Sequence, residues 1–409
     1  MKKCFDIIVI GAGPAGITAS LTAAAKGRRV LLLEGNSRVG KKLLSTGNGK
    51  CNFTNETVSE EHYYSHGDPL INSVLAGFGR SELISWMRAI GIEEKTVSGR
   101  IYPRSEQASS VLDALRIQLD LSGVTVVTGA KVQYLSRNDD GLFEAQTTEK
   151  IYTGRKVILA AGSKAAPGTG SDGSGYVLAR QMGLKVAKPR PALTNVHLDE
   201  SFCKSWSGVR CDGQVSVLID GVLTASDTGQ LQMTSYGISG IPVFQISRYV
   251  SAALEEGREV KLELSFLPGC SRQDAVSLLE SRQGTIGDYR AGDILLGVLP
   301  KNLAGVLIRL SGIDRSASVG GLSRNDIGRL ASVLTSMKCR ADGTGGFNQA
   351  QVCAGGILKD ELDASTLECR RVPGLYAAGE LIDVDGMCGG YNLQWAFSSG
   401  YTAGASASS

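Results

Sequence analysis

The chain has 409 residues, 42% hydrophobic and 20% charged, with 43 Lys and Arg against 40 Asp and Glu. That length suggests two or three domains with room for sizeable cores, and a net charge of +3 is too small to point to nucleic acid or an acidic membrane. Nine scattered Cys without a CxxC pair, and only three His (His62, His66 and His197), argue against a disulfide framework or a metal centre and fit a reducing cytoplasm.

Met1-Lys2-Lys3 followed by the apolar run Phe5–Ile10 resembles the start of a secretory leader. The run is short, carries Asp6 and passes directly into Gly11-Ala12-Gly13, so it reads as a buried parallel strand. Residues 14–26 read as an Ala-rich helix and 29–34 as a second strand, together one right-handed βαβ unit. Residues 36–55 are rich in Gly, Ser and Asn and carry Lys41 and Lys42, which suggests a long ordered loop or a loop plus a short helix. Helical periodicity follows at 80–91 and 106–122, strand-like alternation at 123–136 and 142–152, and a buried strand at 155–161.

The pattern changes near Pro189-Arg190-Pro191. From there to about residue 267, short alternating segments predict a small β-domain. Residues 271–340 predict helices at 272–281, 288–296, 302–310 and 323–335. Strand signals return from about residue 350, and the last helix begins near Leu393. The expected fold is α/β. Residues 1–188 and 346–409 form the two parts of one nucleotide-binding domain; 189–267 is an inserted β-domain and 268–345 an inserted helical domain. No run of about 18 apolar residues occurs, so no membrane span is expected.

Gly11-Ala12-Gly13-Pro14-Ala15-Gly16 matches GxGxxG between a strand and a helix, and Glu34 ends the next strand eighteen residues after Gly16. Gly11 would make the tight turn, Gly13 would admit a pyrophosphate, and Gly16 would let the helix lie close to the strand. The phosphates would sit at a helix N-terminus, with its free N–H groups and positive dipole end. Glu34 would accept from ribose hydroxyls and repel a 2′-phosphate. The fingerprint alone does not separate NAD from FAD. The late segment does: Gly379-Glu380 closes a strand, and Gly389-Gly390-Tyr391-Asn392-Leu393 leads a Gly-rich loop into the final helix. Those features suit a ribityl chain and a flavin pyrimidine edge, where helix amides stabilise negative charge. Non-covalent FAD is therefore the expected cofactor.

Four stretches carry a family resemblance: Gly40 to Asn55 (GKKLLSTGNGKCNFTN), Gly99-Arg100-Ile101-Tyr102-Pro103, Leu159-Ala160-Ala161-Gly162, and Gly374 to Gly400. Over nearly its whole length the chain resembles the HI0933-like family of bacterial FAD-dependent oxidoreductases, which includes bile-acid-inducible flavoprotein reductases and aminoacetone oxidases. The resemblance implies a Rossmann-type FAD-binding domain split by a β-barrel-like domain and a small helical domain. It also implies that Ala15, Glu34, Lys42, Asn52, Val132, Glu380, Asn392 and Leu393 lie against FAD, Val132 through its backbone in a strand after Thr128-Gly129. Pro14, Gly35, Gly47, Ala161 and Gly162 join the cofactor set through the same motifs. One departure stands out: Ser235 in Thr234-Ser235-Tyr236-Gly237-Ile238-Ser239-Gly240 occupies a position where the family often has His.

Flavin carries the redox chemistry, so the protein has to supply positioning and a proton. Tyr236, beside a flexible Gly237, is the first candidate donor and Tyr391 the second; packing roles compete for both. Cys51 and Cys388 fall in flavin-facing segments, where a small buried residue is the ordinary role of a lone Cys. No second GxGxxG has strand–helix context, so NAD(P)H would bind only transiently in the substrate cleft, where the C-terminal flavin segment meets the inserted domain. Three activities stay open. The leading one is reduction of an activated C=C bond in a steroid-like enone; the others are oxidation of a small amine with O₂, and a non-enzymatic flavin-binding or RNA-modification partner. The substrate is expected to be a small molecule, with no nucleic acid or membrane partner.

Overall fold

In the computed structural model, which describes residues 4–65 and 67–409, the fully apolar segment Val30–Leu33 lies parallel to Cys4–Ile10, pairing Ile7 with Val30 and Ile10 with Leu33. Both strands are buried on both faces, which explains why they read as continuous apolar runs rather than alternating ones. Ile151–Leu159 flanks the first strand on its other side, again parallel, and Leu375–Ala377 adds to the far half of Ile151–Leu159 through Leu375 opposite Val157. The sheet thus takes strands from both ends of the chain. Thr125–Val127 extends it on one edge, and the antiparallel pair Phe143–Gln146 and Tyr134–Arg137 extends it on the other.

The chain divides into two compact units, residues 1–190 with 351–409, and residues 191–350. The first has one core, built on the parallel sheet and the helices Pro14–Ala25, Ala108–Leu121 and Tyr391–Ala407. The last of these packs on the first through small residues. A Cβ on Gly400 would stand 2.3 Å from the Ala15 carbonyl oxygen, and one on Gly404 2.5 Å from that of Ala19.

The second unit is a closed antiparallel barrel. In spatial order its strands are Val196–Leu198, Gly237–Ser239, Val222–Thr234, Arg210–Ile219, Val260–Ser265 and Met337–Thr344. Its apolar interior is continuous with that of the helices Arg272–Thr285, Lys301–Leu310 and Arg324–Thr335.

Several elements differ from the sequence reading. Ile241–Glu255 is a helix inside the stretch read as short strands; Gly240 ends the strand and Pro242 starts the helix in its first turn. Met337–Thr344, inside the stretch read as helical, is the strand that closes the barrel, with Met337, Cys339 and Ala341 inward. Residues 288–296 hold only the short turn Ala291–Asp293, although Ile294 and Leu295 are fully buried. Helix Pro69–Gly77, capped by the Asp68 carboxylate on the Leu70 N–H, was not anticipated. Gly237 is not flexible: it lies in a strand, where a Cβ would meet the Val196 carbonyl oxygen at 2.2 Å. Val132 lies in the loop between Thr125–Val127 and Tyr134–Arg137 rather than in a strand. Met1 to Lys3 and His66 lie outside the described residues.

Candidate functional site

The three fingerprint glycines separate by what surrounds them. Gly11 has φ +103°, and a Cβ there would stand 2.5 Å from the Ala160 carbonyl oxygen. A Cβ on Gly16 would lie 1.8 Å from the Gly11 carbonyl oxygen. At both positions the backbone leaves no room for a side chain. Gly13 differs: a Cβ there meets nothing within 4 Å. The space above Gly13 is open at the start of helix Pro14–Ala25, whose N-terminus has no side-chain cap. The N–H groups of Ala15 and Gly16 are thus left for an anion, and Pro14 has none to leave unpaired.

Glu34, 8% exposed, is partly spoken for within the fold. Its Oε2 accepts from the Ala12 N–H at 2.8 Å, and its Oε1 accepts from the Asn36 N–H at 2.8 Å and the Asn36 side chain at 2.7 Å. The carboxylate therefore braces the Gly-rich loop, and the lone pair left on Oε2 would take a ribose hydroxyl. Gly35 abuts Lys131, with 3.4 Å from a Cβ placed there to that of Lys131. Val132 is 4% exposed, in the loop that follows the strand beside Glu34.

Gly379 brings the other end of the chain in. Its φ is +73°, a Cβ there would lie 2.8 Å from that of Ala15, and its N–H donates to Ser399 Oγ at 2.9 Å. Next to it, Glu380 Oε2 pairs with Lys42 Nζ at 2.5 Å, while Oε1 accepts from Ser163 Oγ at 2.7 Å and from the Cys353 N–H at 3.2 Å. Lys42 thus neutralises a carboxylate of the protein. Tyr176 is buried with its hydroxyl unpartnered, and desolvation pushes its ionisation far above the ordinary phenol value, the Cys353 and Glu380 charges adding to it. Ala161 and Gly162 follow the central strand; Gly162 has φ +72° and faces Ser171 Oγ.

Asn52 and Asn392 use their side chains on the protein. Asn52 Nδ2 donates to the Thr54 and Ile101 carbonyls at 2.8 and 2.9 Å, and Asn392 closes the loop at Gly386 through Oδ1 and Nδ2, both at 2.8 Å. What Asn392 and the half-buried Leu393 leave for a ligand is backbone N–H at the start of Tyr391–Ala407. Gly390, its N-cap, has φ +101° and makes no side-chain cap bond. A Cβ on Gly47 would press on the Asn52 N–H at 2.9 Å.

Tyr391 is 7% exposed and stacks on His62 at 4.4 Å, while its carbonyl accepts from the Tyr63 hydroxyl at 2.9 Å. Tyr236 belongs to the second unit, is 40% exposed and accepts from Asn195 Nδ2 at 2.7 Å. Burial pushes the Cys51 thiol up to about 12, with Thr46 opposing, so it stays protonated at neutral pH and is a poor nucleophile. Among the described residues no cluster of His, Cys, Asp and Glu could hold a metal, and no helix is long and apolar enough to cross a membrane.

Ser163, Asn36 and Ser399 were missed in the sequence. Ser163 directly follows Ala161-Gly162 and Asn36 follows Glu34-Gly35, so adjacency to a motif was the available signal; Ser399 had none. The open face of Gly13, the uncapped helix starts and the Glu34 carboxylate fit a dinucleotide with a flavin at the C-terminal helix.

The HI0933-like protein Rossmann domain family matches residues 5–406. The chain is 39% identical over 401 residues, 98% of each chain, to a 3-dehydro-bile acid delta(4,6)-reductase of Clostridium scindens. It is 33% identical to a ribosomal RNA dihydrouridine synthase of Escherichia coli, over 97% of this chain and 96% of the relative. Among solved structures, a 3-ketosteroid delta1-dehydrogenase from Sterolibacterium denitrificans shares the fold with a TM-score of 0.54 at 12% identity, covering 99% of both chains. The chain therefore belongs to the HI0933-like family and is an FAD-dependent oxidoreductase with a Rossmann-type cofactor domain.

Proposed function

We propose that this enzyme reduces an activated carbon–carbon double bond in a steroid- or bile-acid-like enone, with NAD(P)H bound transiently as electron source. The observation that carries this reading is the 39% identity, end to end, to a bile-acid delta(4,6)-reductase. The dihydrouridine synthase relatives point to the same reaction type, since making dihydrouridine also saturates a C=C bond conjugated to a carbonyl. A shared bond type across different substrates is a firmer guide than any one substrate.

Bound non-covalently, FAD would supply hydride transfer. The chain's own residues would do the rest. The amides of Ala15 and Gly16, within Gly11–Gly16, would hold the pyrophosphate. Glu34 would hold the ribose, and Glu380 with Lys42 would order the ribityl side. The amides of Asn392 and Leu393 would stabilise charge on the flavin pyrimidine edge. Val132 would meet adenine through its backbone, and Gly35, Gly47, Asn52, Ala161, Gly162 and Gly379 would shape the cavity. Tyr236 would give the proton, with Tyr391 the second candidate. The nine scattered Cys, with no CxxC pair, suit a reducing compartment, and the cytoplasm is the location this reading expects.

Anaerobic stopped-flow spectroscopy tests the reading. NADH or NADPH should bleach the flavin band, and a 3-oxo-Δ4-steroid should restore it. Failure of both nucleotides to bleach it removes the reductase reading. A second reading has its own support, because two relatives at 33% and 30% identity are named for ribosomal RNA. In that case uridine-containing rRNA, not the steroid, restores the band. The near balance of 43 basic and 40 acidic residues favours the small molecule, since RNA binding draws on an excess of Lys and Arg. An amine oxidase would instead yield H₂O₂ with small amines, and none is expected.

A further inference from the structure

Residues 54–64 hold the loop that leads into helix Tyr391–Ala407, all within the first unit. Tyr63 forms an antiparallel bridge with Gly386. On either side of it the Tyr64 N–H donates to the Asp385 carbonyl at 3.1 Å and the Met387 N–H to the His62 carbonyl at 2.9 Å. A Cβ on Gly390 would stand 2.4 Å from the Thr54 carbonyl oxygen, so the two stretches also meet backbone to backbone there. Thr54 Oγ1 donates to the buried side chain of Gln394. These contacts are enough to hold a loop. Two further bonds differ in kind, because side chains donate to peptide carbonyls at the helix start. Asn55 Nδ2 donates to the Gly389 carbonyl at 2.8 Å, its amide oriented by Oδ1, which accepts from the Thr57 N–H at 3.2 Å. The Tyr63 hydroxyl donates to the Tyr391 carbonyl at 2.9 Å.

The peptide group makes that difference matter. The carbonyl of one residue and the N–H of the next are a single conjugated unit. A donor placed on the oxygen draws electron density toward it and leaves the N–H more positive, hence a stronger donor. The Tyr391 carbonyl shares its peptide group with the Asn392 N–H, and the Gly389 carbonyl shares its own with the Gly390 N–H. Both N–H groups stand where the helix begins, and its N-cap makes no side-chain cap bond. Tyr63 is fully buried, and desolvation pushes its ionisation far above the ordinary phenol value, the Tyr391 charge adding to it, so the hydroxyl keeps its proton. Its ring meets Trp395 edge-on, with centroids 6.2 Å apart, which fixes where the hydroxyl points.

We propose that Tyr63 and Asn55 are positioning residues that polarise the peptide groups at the start of helix Tyr391–Ala407 and so raise the reduction potential of the flavin. The proposal rests on the reading that the Asn392 amide faces the flavin pyrimidine edge. Negative charge at that edge is greater in the reduced cofactor than in the oxidised one. A more positive N–H therefore favours the reduced state, and taking away the donor behind it lowers the potential.

The test uses the full-length holoenzyme, its flavin potential measured by equilibration with a reference dye. Tyr63→Phe keeps the ring and removes only the hydroxyl. It should lower the reduced-to-oxidised ratio at a given potential about fivefold, or about 20 mV for a two-electron couple. Asn55→Ala should move the potential the same way; if it does not fold, Tyr63→Phe carries the test. Thr54→Val removes the bond to the Gln394 side chain but touches no peptide carbonyl, so it should lower the melting temperature and leave the potential unchanged. A second readout is direct. Tyr391-Asn392 is the single Tyr-Asn pair in the chain, so labelling the Tyr carbonyl carbons and the Asn amide nitrogens gives one NMR cross-peak, from that peptide group. The cross-peak should move in Tyr63→Phe with the flavin oxidised. An unmoved cross-peak, a wild-type potential in Tyr63→Phe, or an equal fall in Thr54→Val overturns the proposal alone. Reducing the wild-type flavin with dithionite should also move the cross-peak. If it stays in place, the Asn392 amide does not meet the flavin, and the reading of that site falls with the proposal.

Discussion

Gly13 and Gly16 lie three positions apart and answer to opposite constraints. Gly16 is closed in by the Gly11 carbonyl, whereas Gly13 faces open space. Gly13→Val should therefore fold with the melting curve of flavin-free wild-type protein yet fill the volume meant for the pyrophosphate. The expected result is colourless protein, with flavin affinity lowered at least about tenfold, or about 1.4 kcal/mol. Flavin absorbance per mole of purified protein measures it, and wild-type flavin content would show the fingerprint to be misplaced. Asp363 permits a test of stability against pH. Hydrogen bonds from the Ser365 hydroxyl and N–H, and from Thr366, hold its carboxyl down to about 2 from an ordinary 3.8. A carboxyl depressed in the fold stabilises above its unfolded pKa and loses that contribution as pH falls through the folded one. Asp363→Ala should cost about 1 kcal/mol near neutral pH, a modest figure because the turn is wet. The gap in melting temperature from wild type should close between about pH 4 and pH 2; a gap independent of pH would refute the assignment.

The packing of Pro14–Ala25 against Tyr391–Ala407 gives glycine substitutions opposite signs in different helices. Ala is favoured over Gly in a helix by about 1 kcal/mol. In Lys301–Leu310, where a Cβ on Gly305 meets nothing within 4 Å, Gly305→Ala should raise stability by about 0.5–1 kcal/mol. Gly404→Ala brings a Cβ to 2.5 Å from the Ala19 carbonyl, a backbone atom that cannot turn aside. Overpacking of this kind costs about 1–3 kcal/mol, so the clash outweighs the propensity gain and the variant should be destabilised. Denaturant titration of both variants decides it. The misread elements fail for a related reason. Met337–Thr344 alternates cleanly, but it follows directly on a helix and its partners are strands about 75 and about 145 positions earlier in the chain. Ile241–Glu255 was hidden by the strands before it. Periodicity reports an element's buried face; it does not report which distant segment covers that face.

Two separate hydrophobic cores, one in each unit, bear on how the molecule unfolds. Residues 191–350 are numerous enough for an independent domain. Calorimetry should resolve two transitions, and added FAD at about 100 times its Kd should raise only that of the cofactor unit, by about 2.7 kcal/mol at the reference temperature. One transition moving as a whole with FAD would show that the cores unfold together. The cofactor unit was legible in the sequence because its signals are local. A strand, a glycine turn, a helix and a terminal carboxylate lie within thirty residues of one another, and each is dictated by steric and dipolar rules that need no distant partner. By itself the sequence determined the Rossmann-type α/β class, the dinucleotide fingerprint and, through Gly379-Glu380 with the loop before the last helix, the flavin. Only the tertiary structure decided that Glu34 braces the Ala12 and Asn36 amides, that Lys42 meets Glu380, that Asn195 donates to Tyr236, and that Met337–Thr344 closes a barrel. Each of these joins groups through space, and side-chain direction and strand closure follow from long-range packing that no local pattern encodes.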